Sequence, residues 1–128
     1  MAWTTPSTWT AAAVLTASQL NAQLRDNMKA IGDPWVAYTP TLTNWTNLAA
    51  STAYQCQYVR MGSVVSVSGK VAVDPTLAAT ATELGISLPV ASNFGAAEDC
   101  GGVAFATAIA GQGAGIIADA ANDRASMN

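Results

Sequence analysis

Residues 54–73 read YQCQYVRMGSVVSVSGKVAV, and the period of this stretch decides the fold. Character alternates with a step of two, the repeat of a strand whose successive side chains point to opposite faces. Tyr54, Cys56 and Tyr58 fall on one face of the first run. In the second run Val65, Val67, Val71 and Val73 share a face, with Gly69 between them, while Ser66, Ser68 and Lys70 take the other. Gly62 and Ser63 divide the two runs, so the stretch predicts a β-hairpin.

The same period recurs downstream. LGISLPV alternates Leu84, Ile86, Leu88 and Val90; VAFATAI alternates Val103, Phe105, Thr107 and Ile109; GIIA, from Gly115, begins a further strand. Turn-rich breaks separate these runs. Short strands at such spacing predict a mainly β fold, with an antiparallel β-sandwich or jelly-roll-like domain over residues 35–128. The alternate positions are mostly Ser, Ala, Gly and Thr. Such faces suit close contact with a neighbouring sheet or subunit, and symmetric assembly would also cap open sheet edges.

Upstream the period changes to that of a helix. Residues 15–35 read LTASQLNAQLRDNMKAIGDPW and predict one short amphipathic helix over 16–31. Thr16 with Gln19 forms a capping box, and Leu15 and Leu20 flank it as a hydrophobic staple. Gly32 suits a left-handed C-terminal position, and Pro34 forbids continuation. Ala17, Leu20, Leu24, Met28 and Ile31 form a narrow apolar stripe, close to a coiled-coil seam. The stripe could pack on the β-domain of its own chain or bundle with identical helices of neighbouring subunits. Asn27 falls close to the seam, where a polar side chain fixes register, and this favours the bundle. Leu20, Leu24, Asn27, Met28 and Ile31 are therefore the candidate oligomerisation residues.

Residues 1–15, MAWTTPSTWTAAAVL, show neither period. Disordered segments are poor in aromatics, yet Trp3 and Trp9 stand here within ten residues. They predict an extended anchoring arm ordered by docking, with the two indoles as buried anchors.

Composition narrows the function. The 128 residues carry 10% charged side chains, against roughly 25% in ordinary globular proteins. A small domain normally keeps its surface soluble through charge. The shortage is met either by a neutral surface rich in Ser, Thr, Gly and Ala or by burial of much of the surface against other chains, and burial in an oligomer is the favoured reading. The net charge is −3, and the five basic residues, Arg25, Lys29, Arg60, Lys70 and Arg124, are scattered. That excludes a phosphate-tracking face for nucleic acid, and no apolar run reaches the ~20 residues of a membrane span. The segment Ala11–Leu15 is too short for a signal-peptide core, so the protein is expected to begin near Met1 and to be made in a cytoplasm.

With no histidine, Ser-His-Asp and Cys-His arrangements are excluded. Glu98 beside Asp99, and Asp119 near Asp123, are the remaining acid pairs; solvated surface is the favoured reading over a glycosidase pair. GQGAG, residues 111–115, lacks the spacing of a phosphate cradle. DAANDR, residues 119–124, offers Asp119, Asn122 and Asp123 to Ca²⁺ but reads better as a strand-connecting turn. Cys56 and Cys100 are read as two free thiols, Cys56 buried and Cys100 in a loop. No catalytic, cofactor or metal site is expected, and the chain reads as a non-enzyme.

Five stretches in order resemble a group of bacteriophage virion structural proteins of the tail-fibre, minor tail, head-fibre or head-decoration type. AWTTPSTWTAAAVLTASQLNAQLRDNMKAIG is similar to their N-terminal arm and helix, and WVAYTPTLTNWT to the entry into their β-domain. YVRMGSVVSVSGKVAV resembles their central hairpin, ISLPVA the strand that follows, and GIIADAANDRASM their late strand pair. Such relatives run on into a closing strand rich in Phe, Tyr and Val, so a further strand or another chain is expected to complete the sheet. The resemblance implies a virion protein, a homotrimeric fibre or spike fastened by its arm and helix to major capsid or tail proteins. Its β-domain would project outward, toward a host-surface glycan. The alternative is a capsid decoration (cement) protein that stabilises the head; a polysaccharide depolymerase ranks below both.

Overall fold

The computed structural model describes residues 4–107 and 112–128. The fold is mainly β, with one short helix and antiparallel sheets in a sandwich-like arrangement. The helical stretch comprises α1 (Ala17–Leu20), a π turn (Asn21–Arg25) and α2 (Asp26–Ile31). The strands are β1 (Val36–Tyr38), β2 (Leu42–Thr46), β3 (Leu48–Ala53), β4 (Cys56–Met61), β5 (Val64–Ser68) and β6 (Val71–Pro75). They continue with β7 (Glu83–Ile86), β8 (Gly101–Phe105), β9 (Gly113–Asp119) and β10 (Arg124–Met127), with a 3₁₀ turn (Ala97–Asp99) before β8. The chain divides into two compact units, Met1–Val36 with Gln57–Ser68, and Ala37–Cys56 with Gly69–Asn128.

In the first unit the helix opens as its sequence requires. Thr16 Oγ1 accepts the Gln19 amide at 3.2 Å, and the Gln19 side chain accepts the Thr16 amide at 2.9 Å. Both halves of the capping box are therefore made. The far end differs from expectation. Gly32 has φ −101°, outside the left-handed region, and its N–H donates to Lys29 O at 3.1 Å. The last turn tightens to an i→i−3 bond instead of reversing through a left-handed residue. The interior also differs, because the π turn interrupts a helix that the spacing reads as continuous.

The predicted hairpin is present in this unit. β4 and β5 pair antiparallel from Gln57↔Ser68 to Met61↔Val64, leaving Gly62 and Ser63 as a two-residue turn. Gly62 has φ +60°, the positive value that the first position of a II′ turn demands. The valine run that follows is two strands rather than one. β5 ends at Ser68, and β6 begins at Val71 and pairs with β3.

The second unit contains the reason for that break. Gly69 lies against Cys56, so that a Cβ at position 69 would run into Sγ and Cβ of that residue. Cys56 is buried, and its Sγ faces the carbonyls of Tyr54 at 3.5 Å and Lys70 at 3.9 Å. Such an approach needs a residue without a side chain.

The five-stranded sheet of the second unit has the order β2-β7-β10-β9-β8, all antiparallel. Its register sets Leu84 opposite Met127 and Met127 opposite Ile116; Ala125 stands between Ile86 and Ala118. Leu84 is fully buried, and Ala118 and Ala125 nearly so, which makes this the inner face. The small residues of β9 and β10 thus line the core, and Val103 and Phe105 of β8 point away from it. Of the run Leu84–Val90 only Leu84, Gly85 and Ile86 are strand, as part of β7. Ile109 lies outside the described residues.

Between β2 and β3, Asn47 turns the chain at φ +55°. Its amide accepts from Leu77 N at 2.8 Å and donates to the Leu77 carbonyl, the Thr80 carbonyl and Thr82 Oγ1. One left-handed asparagine thereby holds the loop ahead of β7.

Candidate functional site

The arm and the helix both lie in the first unit, and two side-chain amides join them. Gln23 and Asn27 are four residues apart and so stand one above the other on the same helical face. Thr4 N donates to Asn27 Oδ1 at 2.9 Å, and Asn27 Nδ2 returns a bond to Thr4 O at 2.9 Å. Ser7 N donates to Gln23 Oε1 at 2.7 Å. Asn27 thus engages the arm's backbone as a neighbouring strand would, through one donor and one acceptor. Nδ2 donates also to Gln23 O at 3.2 Å, so the buried amide is satisfied.

Beyond Ser7 the arm borders a shallow cleft of about 140 Å³, lined by Ser7, Trp9, Thr10, Val14, Gln19 and Gln23. A turn, Ala13 N to Thr10 O at 3.1 Å, and Ala12 at φ +64° shape its rim. Trp9 is exposed. Trp3 lies outside the described residues.

The apolar stripe lies apart from this clip. Leu24 is 54% exposed, Ile31 56% and Met28 71%, with Leu20 also exposed. The buried positions of α2 are instead Asn27 and Ala30. Asn27, which its spacing groups with the stripe, therefore serves the arm in the single chain. An Asn four residues after a Gln, downstream of a Thr-rich arm, was the available signal for the clip. Charge on the helix is light. Arg25 Nε donates to Asp26 Oδ1 at 2.8 Å, which raises the Arg25 pKa and lowers that of Asp26, and both groups stand in solvent. Such pairs contribute little to stability.

Asp99, Asp119 and Asp123 of the second unit have partners within the chain. Asp119 and Arg124 form an ion pair at 2.7 Å with little solvent access, and Asn122 donates to Asp119 at 2.8 Å. Burial pulls the Asp119 pKa upward, but the hydrogen bonds from Asn122 and Arg124 and the guanidinium charge outweigh it, so the net shift is downward. Arg124 also lies over the Trp45 ring at 4.5 Å and across Gly85, where a Cβ would come within 2.8 Å of the guanidinium. Trp45 sits at a register shift in β2, a bulge that redirects its side chain.

Asp123, in the turn between β9 and β10, accepts the amides of Ser92 at 3.2 Å and Phe94 at 3.1 Å. Asp99 accepts those of Gly95 and Ala96. Among the described residues no cluster of His, Cys, Asp or Glu could hold a metal ion. Cys56 and Cys100 are free thiols, and burial raises the Cys100 pKa. No helix among the described residues is long and apolar enough to cross a membrane. Comparison with protein-family models, with curated proteins and with solved structures finds no match to this chain.

Proposed function

We propose that this chain is a non-enzymatic structural subunit of a bacteriophage virion, a homotrimeric fibre or spike. Its arm and helix fasten it to capsid or tail proteins, and its β-domain stands outward toward the host surface. The observation that carries this reading is the uncovered stripe Leu20, Leu24, Met28 and Ile31 on a helix whose other face is already taken by its own arm. A helix of this length is marginal alone and gains its stability by burying an apolar face. Three copies packed along the stripe would provide that burial. The partners of Asp99, Asp119 and Asp123 support the structural reading, since each carboxylate braces its own chain. The virion itself comes from the sequence resemblance.

Sedimentation velocity tests the assembly. The expected species has a mass of about 39 kDa, three times the 13.0 kDa chain. Leu24→Lys with Met28→Lys should shift it toward monomer at least tenfold in concentration. A chain that stays monomeric at every concentration would overturn the proposal.

A further inference from the structure

The π turn and the arm meet at the same place on the helix. Within Asn21–Arg25 the backbone bonds reach one residue further than in an α-helix, so that Asp26 N–H donates to Asn21 O, five residues back. Nothing in the segment NAQLR demands this. It contains no Gly, Pro or β-branched residue, and Ala, Gln, Leu and Arg are good helix formers. A helix without such breakers is distorted where a side chain inserts into its hydrogen-bond ladder. Here that side chain is Asn27, whose Nδ2 donates at 3.2 Å to Gln23 O, a carbonyl inside the π turn.

The arm holds the groups that make this distortion. Asn27 Oδ1 accepts Thr4 N–H and Nδ2 donates to Thr4 O, both at 2.9 Å, which fixes the plane of the amide that reaches Gln23 O. Gln23 itself accepts Ser7 N–H at 2.7 Å. The arm therefore grips the helix within the π turn and just after it.

The distortion changes the apolar stripe. Steps of three and four keep Ala17, Leu20, Leu24, Met28 and Ile31 on one side of a regular α-helix. A π turn adds a residue to one turn, so positions beyond it are rotated by about 100°. Ala17 and Leu20 precede the π turn, and Met28 and Ile31 follow it. With the arm in place the stripe is two offset patches instead of one seam.

We propose that the arm is a switch for the register of the helix. Clipped to Gln23 and Asn27, it maintains the π turn and holds the two halves of the stripe out of line. Its release frees the Asn27 amide, the turn closes to regular α-helix, and the stripe becomes continuous. The switch is a property of one chain. Its consequence for assembly rests on the homotrimer proposed above: the helix bundles once its arm has left, so arm docking and bundling are coupled.

Thr4→Pro with Ser7→Pro tests this, because it removes both arm N–H donors and leaves the helix sequence untouched. The readout is the scalar coupling across the hydrogen bond of Asp26 N–H, which identifies the accepting carbonyl in solution. Wild type should couple to Asn21, and the variant to Ala22. Coupling to Asn21 in both proteins, to Ala22 in both, or its loss from the variant as the helix unwinds would each overturn the inference. Sedimentation velocity over a dilution series then separates the switch from the assembly. The variant should associate at a concentration at least tenfold lower than wild type. A moved coupling without tighter association leaves the switch standing and overturns the bundle along the stripe. An unmoved coupling beside a normal trimer overturns the switch alone.

Discussion

The middle of the five-stranded sheet and the arm–helix unit treat their side chains in opposite ways. In the sheet, β7, β10 and β9 bury Leu84, Ala118 and Ala125 on one face, and on the other Ser126 donates to Glu83 at 2.9 Å. Arg124 is fixed there by Asp119, Trp45 and the space above Gly85. Every buried polar side-chain atom described has a partner. The helix satisfies its buried polar residue just as fully, through the clip from Asn27 to Thr4, yet leaves its large apolar side chains in solvent. Hydrogen-bonding demand is met within one chain in both places, and hydrophobic demand in only one of them. A region finished in its polar bonds but not in its apolar burial is suited to receive a partner.

The largest expected effect separates the two regions directly. Leu84→Ala removes a fully buried side chain where two rigid strands limit collapse, and should cost about 3 kcal/mol of unfolding free energy. That is a large fraction of the roughly 5–15 kcal/mol of a typical domain. Leu24→Ala, on the exposed stripe, should change the stability of dilute protein by less than about 0.5 kcal/mol. Urea unfolding at low concentration measures both. Equal losses would mean that the stripe is buried by its own chain, and the contrast would disappear.

The clip gives a smaller and more local effect. Asn27→Ala removes the acceptor of Thr4 N–H and the donor to Thr4 O, a net loss of about 1–2 kcal/mol that the arm alone would feel. Amide exchange at Thr4 should accelerate roughly tenfold, since 1.4 kcal/mol corresponds to a factor of ten. Amides of β7 and β10 should keep their rates. Acceleration in the sheet as well would show that the arm's order and the sheet's order are linked.

These contrasts mark what the sequence discloses. The capping box at Thr16 and Gln19, the Gly62-Ser63 hairpin and the turn at Ala120–Asp123 rest on local chemistry, and local chemistry is written in adjacent residues. Alternation shows that the two faces of a strand differ, but not which one is inner. In β8 the large residues face outward, and Gly102 and Ala104 take the inner side, opposite Ile116 and Ala114. The break between β5 and β6 depends on Cys56, thirteen residues before Gly69, and no periodicity contains such a contact. The two-sided use of the helix was hidden similarly. Spacing places Asn27 near the seam, and only the position of Thr4 shows where its amide points. The deciding contacts in these cases are long-range, and the pattern of one segment does not contain them.

The smallest expected effect is confined to acid and tests the sheet's polar side alone. Asp119 has its pKa lowered in the folded chain, so its contribution to stability is fully present above the unfolded value of about 3.9 and is lost as pH falls through the lower folded value. Protonation removes the charge that holds Arg124, leaving the guanidinium with Trp45 alone. Wild type and Asp119→Asn should therefore differ in urea midpoint by the same amount at pH 7 and pH 5, and the difference should shrink as pH is taken below about 4. A difference that persists unchanged in acid would mean that shape and hydrogen bonding at position 119 matter and its charge does not. The helix provides the control. Asp26 is also lowered, by the Arg25 hydrogen bond, but stands in solvent, so Asp26→Asn should leave the acid limb where it is. If both variants moved it alike, the sheet's enclosed ion pair would behave as a surface one, and the contrast between the two regions would rest on apolar burial alone.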